Sequence, residues 1–323
     1  MRYRKLGRTG CEVSEIGYGA WGVGGVQWQG GTDDESLRAL KRAIELGLNF
    51  IDTALAYNEG HSERLVGTVV RDAPRSIRVA TKVPPKNRLW PARRGIGIDQ
   101  VFPYDYVIQS TETSLKNLGV DTIDVQQFHV WNPEWIASEE WRRAFEDLKK
   151  SGKVRAVGVS INDHDPDSAL ELVKTGLVDT VQVIYNIFDQ GPERNLFPLC
   201  QKMNLGVIAR VPLDEGGLTG TITEDTQFEP GEFRAAYFKG DRKKQVVEHV
   251  NALKRDLEGV VDGPLAEVAL RFTISNPAVS TVIPGMRRVR NAEANVQVSD
   301  KGPLDERTLG ILRRHAWDRN FYG

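Results

Sequence analysis

The segment NFIDTALAY, residues 49–57, places a carboxylate, Asp52, and a phenol, Tyr57, five residues apart. A phenol titrates near pH ~10, so it gives up a proton near neutral pH only when a nearby cation stabilises the phenolate. Lys82, in IRVATKV, can be that cation, and Asp52 can hold the ammonium charged. His129, in TIDVQQFHV, can donate a hydrogen bond to a substrate oxygen. The four side chains suit protonation of an alkoxide as it forms.

The elements that must position these residues alternate along the whole chain. Short runs rich in β-branched residues are followed by amphipathic helical patterns, which predicts parallel βα units. No Pro/Ser-rich linker separates the units, so the α/β fold that we expect is a single (β/α)8 TIM barrel domain over residues 1–323. The predicted strands are 15–21, 48–54, 77–83, 122–130, 154–161, 180–186, 205–213 and 279–285.

Segments outside this repeat also have distinct patterns. RYRKLGRTGCEVS predicts an N-terminal β-hairpin that turns at Arg8, Thr9 and Gly10. Long connections follow the third and seventh predicted strands, and DERTLGILRRHAWDRNFYG predicts a helix with an aromatic tail. A TIM barrel builds its site from loops at the carboxyl ends of its strands, so the long loops are expected at that face.

Polar residues recur where the predicted strands end. Taken singly, each has a structural explanation, such as a turn cap or a satisfied core histidine. Their shared position favours one common site at the carboxyl face of the barrel. The set comprises Asp52, Lys82, His129, Ser160, Asn162, Gln182 and Arg210.

Several stretches resemble the aldo-keto reductases over essentially the whole chain: FIDTALAY, VATKV, QFHVW, GVS, VQVIYN, VPLDEGGLTG and VIPGM…EANV. The resemblance implies a metal-free barrel enzyme that moves a hydride between a nicotinamide dinucleotide and an aldehyde, ketone or alcohol. It implies Tyr57 as the general acid, Lys82 and Asp52 as the pair that tunes it, and His129 as the group that orients the carbonyl.

The same resemblance implies how the cofactor is held. Ser160, Asn162 and Gln182 would bind the nicotinamide carboxamide. The backbone of a glycine-rich turn would approach the pyrophosphate, as such turns readily do. That turn supplies Leu213, Gly216, Leu218 and Gly220.

NADP (NADPH) is the expected cofactor, with NAD as the alternative. Where the family often has a Lys-Ser pair and a later Arg beside the adenosine 2′-phosphate, this chain has Gly285, Met286 and Asn291. Because a helix start favours an anion, Arg288 first and Arg287 second are the expected phosphate ligands. Gly285 lies in the same segment, and Asn295 would contact the adenine.

Arg210 departs from the family pattern, because an aromatic ring usually stacks on the nicotinamide at this position. A guanidinium lies poorly beside an oxidised, positively charged nicotinamide. Arg210 therefore has three open roles: a cofactor contact, a phosphate ligand or a ligand of an anionic substrate. Trp21, Trp90 and Trp131 are expected to line the substrate pocket, but neither the substrate nor the oligomeric state follows from the sequence.

Composition excludes several other classes of protein. A net charge of −1 gives no reason to expect nucleic-acid binding, and no apolar run is long enough to span a bilayer, so we expect a cytoplasmic protein without a membrane partner. Cys11 and Cys200 are too few and too isolated for a disulfide framework or a thiolate metal site, and both are expected to be buried.

Three alternative interpretations also account for parts of the sequence. GYGAWG matches a dinucleotide-binding fingerprint, but no helix follows it directly and Asp52 lies beyond the usual spacing of about 20 residues. A barrel lyase could instead use Lys82 as a Schiff-base nucleophile. A non-catalytic nucleotide-sensing subunit could keep the same barrel and pocket. A sensor, however, has no need of a tuned proton donor.

Overall fold

The structure is a computed structural model that describes residues 1–25, 28 and 30–322. Eight parallel strands follow one another in chain order within one sheet. Bridges from Ile16 to Val282 and from Gly19 to Gly285 bring the first and last of these strands together, so the sheet closes into the expected (β/α)8 barrel. The strands are β1 (Tyr3–Lys5), β2 (Glu12–Ser14), β3 (Tyr18–Gly19), β4 (Phe50–Asp52), β5 (Arg78–Val83), β6 (Ile123–Phe128), β7 (Val154–Ser160), β8 (Thr180–Ile184), β9 (Gly206–Arg210) and β10 (Thr281–Val282).

Helices cover the outside of the barrel between successive strands. In the first of them the Thr32 hydroxyl accepts a hydrogen bond from the Glu35 backbone at 3.2 Å, which caps the helix start. Its apolar face buries Leu40 and Ile44 against the sheet. The helices are α1 (Asp33–Glu45), α2 (His61–Arg71), α3 (Tyr104–Leu118), α4 (Glu139–Lys150), α5 (Leu170–Thr175), α6 (Leu196–Lys202), α7 (Phe233–Tyr237), α8 (Arg242–Leu257), α9 (Leu265–Ser275), α10 (Val289–Lys301) and α11 (Glu306–Arg313). In the described part of the chain, no helix could span a membrane.

The predicted hairpin is present and closes one end of the barrel. β1 and β2 pair antiparallel, and Gly10 in the turn has a φ of 76°, a conformation that favours glycine. Leu6 and Val13 of the hairpin region pack against side chains that point into the barrel from five strands and from the residue that follows β10. Those inward side chains are Phe50, Ala80, Val125, Ala156, Ile208 and Ile283. Both cysteines are buried and unpaired, as expected.

This apolar layer determines what lies above it. Side chains on a strand alternate between its two faces, so a residue two positions further on points the same way, one layer higher. The residues two positions after those of the apolar layer are Asp52, Lys82, Gln127, Gly158, Arg210 and Gly285. The inward layer at the carboxyl end of the barrel is therefore rich in polar and charged groups.

Several predicted strands extend beyond the observed ones. The segments 15–21, 205–213 and 279–285 shorten to β3, β9 and β10. After β9 the chain leaves the sheet abruptly, because Val211, Asp214 and Glu215 adopt positive φ angles of 55°, 49° and 53°. The turn after β3 runs through Ala20 to Val23 without a helix, in keeping with rejection of the dinucleotide fingerprint.

The long connections lie at the carboxyl end of the barrel, as predicted. The connection after β5 contains one short 3-10 turn, Ile98–Gln100, and the connection after β9 contains the turn Asp214–Thr219 and helix α7. The aromatic tail follows α11 and is fixed to the barrel: the Trp317 backbone N–H donates to the Phe188 carbonyl at 2.8 Å. Arg242 donates to the Phe321 carbonyl at 2.7 Å.

Close strand approach makes Gly158 on β7 sensitive to substitution. A Cβ at Gly158 would lie 2.1 Å from the Thr180 hydroxyl oxygen on β8 and 2.6 Å from the Thr180 carbonyl oxygen. We therefore expect Gly158→Ala to lower the free energy of unfolding by about 1–3 kcal/mol through overpacking. The midpoint of thermal unfolding, followed by circular dichroism, measures the change.

Gly310 in α11 provides the matched control, since a Cβ there would meet no atom within 4 Å. Gly310→Ala should leave the midpoint unchanged or raise it, because alanine is the better helix former by up to about 1 kcal/mol. Equal melting of the two variants would contradict the close approach of β7 and β8.

Candidate active site

A cavity of about 860 Å³ opens at the carboxyl ends of the barrel strands, above the apolar layer. Most residues that the sequence analysis proposed for chemistry or ligand binding meet in its wall. They are Trp21, Asp52, Tyr57, Trp90, His129, Ser160, Asn162, Gln182, Arg210, Leu213, Gly216, Gly285, Arg287 and Arg288.

An ion pair between Lys82 and Asp52 forms the cavity floor. The two side chains are 1% and 3% exposed, and Lys82 Nζ lies 2.6 Å from Asp52 Oδ2. Nζ also donates to the Thr53 carbonyl at 2.8 Å and to the Tyr57 phenol oxygen at 3.3 Å. All three ammonium protons therefore have acceptors, and one of these acceptors is the phenol.

The second oxygen of the Asp52 carboxylate is also bonded. Oδ1 accepts from the side-chain amide of Gln182 at 2.7 Å and from that of Gln127 at 3.4 Å. Gln182, expected only as a nicotinamide ligand, thus also supports the ion pair. Gln127 was missed by the sequence analysis, although its place beside Lys82 in the β5–β6 register makes it a polar residue pointing into the barrel.

The ion pair with Asp52 keeps Lys82 charged beside the phenol. Burial alone would lower the pKa of Lys82, but the Asp52 carboxylate, assisted by Tyr57, outweighs it and raises that pKa. Burial also raises the pKa of the Tyr57 phenol, while Lys82 acts in the opposite direction. Near neutral pH the floor therefore presents an ammonium bonded to a protonated phenol that faces the cavity.

His129 stands beside the phenol. Its ring centroid lies 5.6 Å from that of Tyr57 and 5.8 Å from that of Trp90, both in edge-on orientation. Burial, and then the cations Lys82 and Arg210, hold the pKa of His129 well below its usual value. The imidazole is therefore neutral and has one N–H to donate.

Trp131, proposed for the substrate pocket, does not line the cavity. The side chain is fully buried and packs edge-on against Trp135 and Trp141, at 5.9 and 5.5 Å between centroids. β6 ends at Phe128, so the alternation that turns Gln127 inward no longer applies at Trp131. An apolar cluster beside α4 buries the ring instead.

Three polar residues sit side by side at the ends of β7 and β8. Ser160 pairs in register with Gln182, and both line the cavity with Asn162. The Asn162 amide exchanges hydrogen bonds of 3.2 and 3.3 Å with the backbone of Ala92. This contact fixes the loop that carries Trp90 across the cavity mouth.

Arg210 lies at the end of β9 and is held by two acceptors. Its Nη2 donates to Asp163 Oδ1 at 2.7 Å and to the Ile161 carbonyl at 3.0 Å. Nε is buried without a hydrogen-bond partner. Asp163, which the sequence analysis did not single out, follows Asn162 in the same loop.

The turn after β9 meets the C-terminal tail at the cavity wall. Glu215 accepts a hydrogen bond from the Tyr322 hydroxyl at 2.6 Å, and burial raises the pKa of the Glu215 carboxyl to about 7. Next to it, Asp214 forms a buried ion pair with Arg319. The contact joins residues about a hundred positions apart, which no local pattern reveals, so Glu215 was missed.

Two of the four residues proposed for the pyrophosphate lie outside the cavity wall. Leu213 and Gly216 line the cavity, whereas the Leu218 side chain is fully buried in the core. Gly220 ends the 3-10 turn with a φ of 71° and is covered by Lys254. Besides Leu213 and Gly216, the turn presents Glu215 and Thr219 to the cavity.

The opposite end of the cavity is basic. Arg287 donates to the Trp28 carbonyl at 2.6 Å, and Arg288, immediately before α10, lies 3.6 Å from Glu35 with 49% of its side chain exposed. Asn295, proposed as the adenine contact, is buried on α10 outside the cavity wall. It lies about two turns into the helix, among the buried residues of α10.

Aromatic rings border the space above the floor. Trp21 contacts Phe233 of α7 at 4.8 Å and Trp28 at 5.5 Å between ring centroids. Trp90 is 45% exposed on the other side. Within the described residues, no group of three His, Cys, Asp or Glu side chains is placed to share a metal ion.

Comparison with known proteins agrees with this geometry. The family model described as "Aldo/keto reductase family" matches residues 15–316. The aldo-keto reductase YhdN of Bacillus subtilis (strain 168) is 30% identical, over 93% of this chain and 89% of its own length. The NADH-specific methylglyoxal reductase of Escherichia coli (strain K12) is 33% identical, over 77% of this chain and 78% of its own.

A solved structure gives the same result. The aldo-keto reductase AKR11C1 from Bacillus halodurans, in its holo form, superposes with a TM-score of 0.78 at 27% identity, covering 98% of this chain and 96% of that one. Fold, cavity position and sequence therefore lead to one assignment. The chain belongs to the aldo/keto reductase family.

Proposed function

We propose that this oxidoreductase reduces an aldehyde or ketone with a nicotinamide dinucleotide, and oxidises the corresponding alcohol in reverse, with Tyr57 as the general acid. The observation that carries the proposal is the hydrogen bond from Lys82 to the Tyr57 phenol at the cavity floor. A phenol bonded to a buried ammonium can release its proton to an adjacent oxygen, because the phenolate left behind is stabilised.

The proposed roles follow from charge and reach. The neutral His129 can donate its N–H to the carbonyl oxygen and orient it toward the phenol. Tyr57 then protonates that oxygen as negative charge develops. Lys82 stabilises the phenolate, and Asp52 keeps Lys82 charged and in place. When bound, the nicotinamide supplies the hydride.

We propose that the dinucleotide extends along the cavity from the floor to the basic end. Ser160, Asn162 and Gln182 offer hydrogen-bonding groups near the floor. The backbone around Gly216 and Gly285 is open, since a Cβ at Gly285 would meet no atom within 4 Å. We propose that Arg288, and then Arg287, bind a 2′-phosphate at the basic end, so that NADPH is preferred.

Lys82 is poorly suited to the Schiff-base alternative. A lysine nucleophile must be a neutral amine, and enzymes obtain one by lowering its pKa. Here Asp52 raises the pKa of Lys82, and all three Nζ protons are directed at acceptors. A sensing subunit, the remaining alternative, would bind the dinucleotide without catalysing its oxidation or reduction.

Replacing Tyr57 by Phe keeps the ring and removes the proton. We expect Tyr57→Phe to reduce turnover of a simple aldehyde with NADPH by about 10²–10⁴-fold, since general acid catalysis is lost. The affinity for NADPH, measured by fluorescence titration, should change little. Turnover close to that of the wild type would remove Tyr57 from the proposed role.

Lys82 and Asp52 are expected to act as one unit. Lys82→Met should slow reduction near neutral pH, and it should shift the rise of alcohol oxidation with pH to higher values, because Lys82 no longer lowers the pKa of the phenol. Asp52→Asn should act in the same direction but less completely. Turnover of the double variant should resemble that of Lys82→Met; a loss equal to the product of the two single effects would mean independent roles.

Cofactor preference depends on the arginines at the basic end of the cavity. One charge-assisted hydrogen bond contributes roughly 1.5–3 kcal/mol, so Arg288→Ala should lower kcat/KM for NADPH by about tenfold to a hundredfold and leave NADH nearly unaffected. Lys301→Ala, at the far end of α10, controls for general loss of positive charge. Similar kcat/KM for NADH and NADPH, unchanged in Arg288→Ala, would show that the arginines do not bind the 2′-phosphate.

A further inference from the structure

Arg210 is a fixed cation in the wall of the cavity. Its side chain is 18% exposed, and the acceptors Asp163 and Ile161 both bind the same nitrogen, Nη2. The guanidinium is therefore anchored at one corner, while Nε carries a buried N–H without a partner. These contacts hold the guanidinium in the cavity wall.

The charge of Arg210 reaches the catalytic groups. Burial and Lys82 have the larger effects on the pKa of His129, and Arg210 lowers that pKa further. Arg210 also lowers the pKa of Tyr57. Asp163, at 2.7 Å from Nη2, compensates part of the guanidinium charge. A substrate oxygen between Tyr57 and His129 would experience the field of Lys82 together with the remaining field of Arg210.

The proposed reaction changes charge at this place. A hydride leaves the neutral dihydronicotinamide and bonds to the carbonyl carbon, while the Tyr57 proton goes to the carbonyl oxygen. The nicotinamide becomes a cation, and Tyr57 regains its proton from solvent. Hydride transfer requires the nicotinamide to be in contact with the carbonyl carbon, so the new positive charge forms close to Tyr57 and within the field of Arg210.

On the basis of the proposed function, we infer that Arg210 makes the cavity discriminate between the two redox states of the cofactor. Repulsion from the guanidinium weakens binding of the oxidised form relative to the reduced form. The counter-charge of Asp163 sets the size of this difference. The equilibrium between free species is unchanged, but the enzyme is more readily occupied by the reduced cofactor and releases the oxidised one faster.

The test measures affinity for both redox states of one dinucleotide by isothermal titration calorimetry. The ratio of the Kd of NADP⁺ to that of NADPH is independent of how the shared 2′-phosphate is bound, and the NAD⁺/NADH pair serves equally well. Arg210→Met should lower this ratio by about threefold to thirtyfold, as expected for two charges several ångströms apart in a partly solvated cavity. Asp163→Asn should raise it.

Opposite changes of the Kd ratio in Arg210→Met and Asp163→Asn separate this role from a merely structural one. Structural damage would weaken binding of the oxidised and the reduced cofactor together. Arg210→Lys keeps the positive charge and should therefore keep most of the Kd ratio. This variant, together with Asp163→Asn, tests the inference if Arg210→Met does not fold. Arg155→Met removes a half-exposed cation five residues before Ser160 on β7 and should leave the ratio unchanged.

Three outcomes would each overturn the inference. The Kd ratio could be the same in the wild type and Arg210→Met, or it could change in the same direction in Arg210→Met and Asp163→Asn. The third outcome is that the wild type binds no dinucleotide. The proposed function is tested separately. If Tyr57→Phe retained full reduction, the function would fail while the binding ratio still reported on Arg210.

Discussion

The buried ion pair between Lys82 and Asp52 constrains the whole carboxyl end of the barrel. Removing two charges from water costs several kcal/mol for each ion unless their hydrogen bonds are satisfied. Here every ammonium proton and both carboxylate oxygens have partners, and four strands, β4, β5, β6 and β8, supply side chains to the network. A shift of one strand in register would leave a buried charge without a partner. The pair therefore ties the position of the phenol to the closure of the sheet.

The walls above this floor depend on contacts between loops that are distant in sequence. Asn162 holds the loop after β5, and Tyr322 joins the C-terminal tail to the turn after β9. The buried pair of Arg319 and Asp214 reinforces the second contact. The floor is rigid because strands form it, whereas the width of the cavity mouth depends on these few polar contacts. Differences in substrate choice among related barrels can arise here without any change in the floor.

The sequence predicted the barrel and its polar layer for a physical reason. Strands buried on both faces have a strong local signal, and alternation fixes which residue points inward next to each apolar position. Beyond the end of a strand, spacing carries no information about side-chain direction, and the Trp131 side chain turns into the core there. Asp163 and Glu215 belong to the cavity through side chains far along the chain, which no local pattern reveals.

The tryptophans of this chain fall into two optical classes. Trp21 and Trp90 border the cavity, whereas Trp131 and Trp141 are enclosed in the core and Trp317 stacks on His249 at 3.7 Å. Indole emission overlaps the near-ultraviolet absorption of a reduced nicotinamide, and transfer between them falls steeply with distance. A reduced nicotinamide bound in the cavity would therefore quench the emission of Trp21 and Trp90 most strongly. The protein carries its own fluorescent reporter of cavity occupancy.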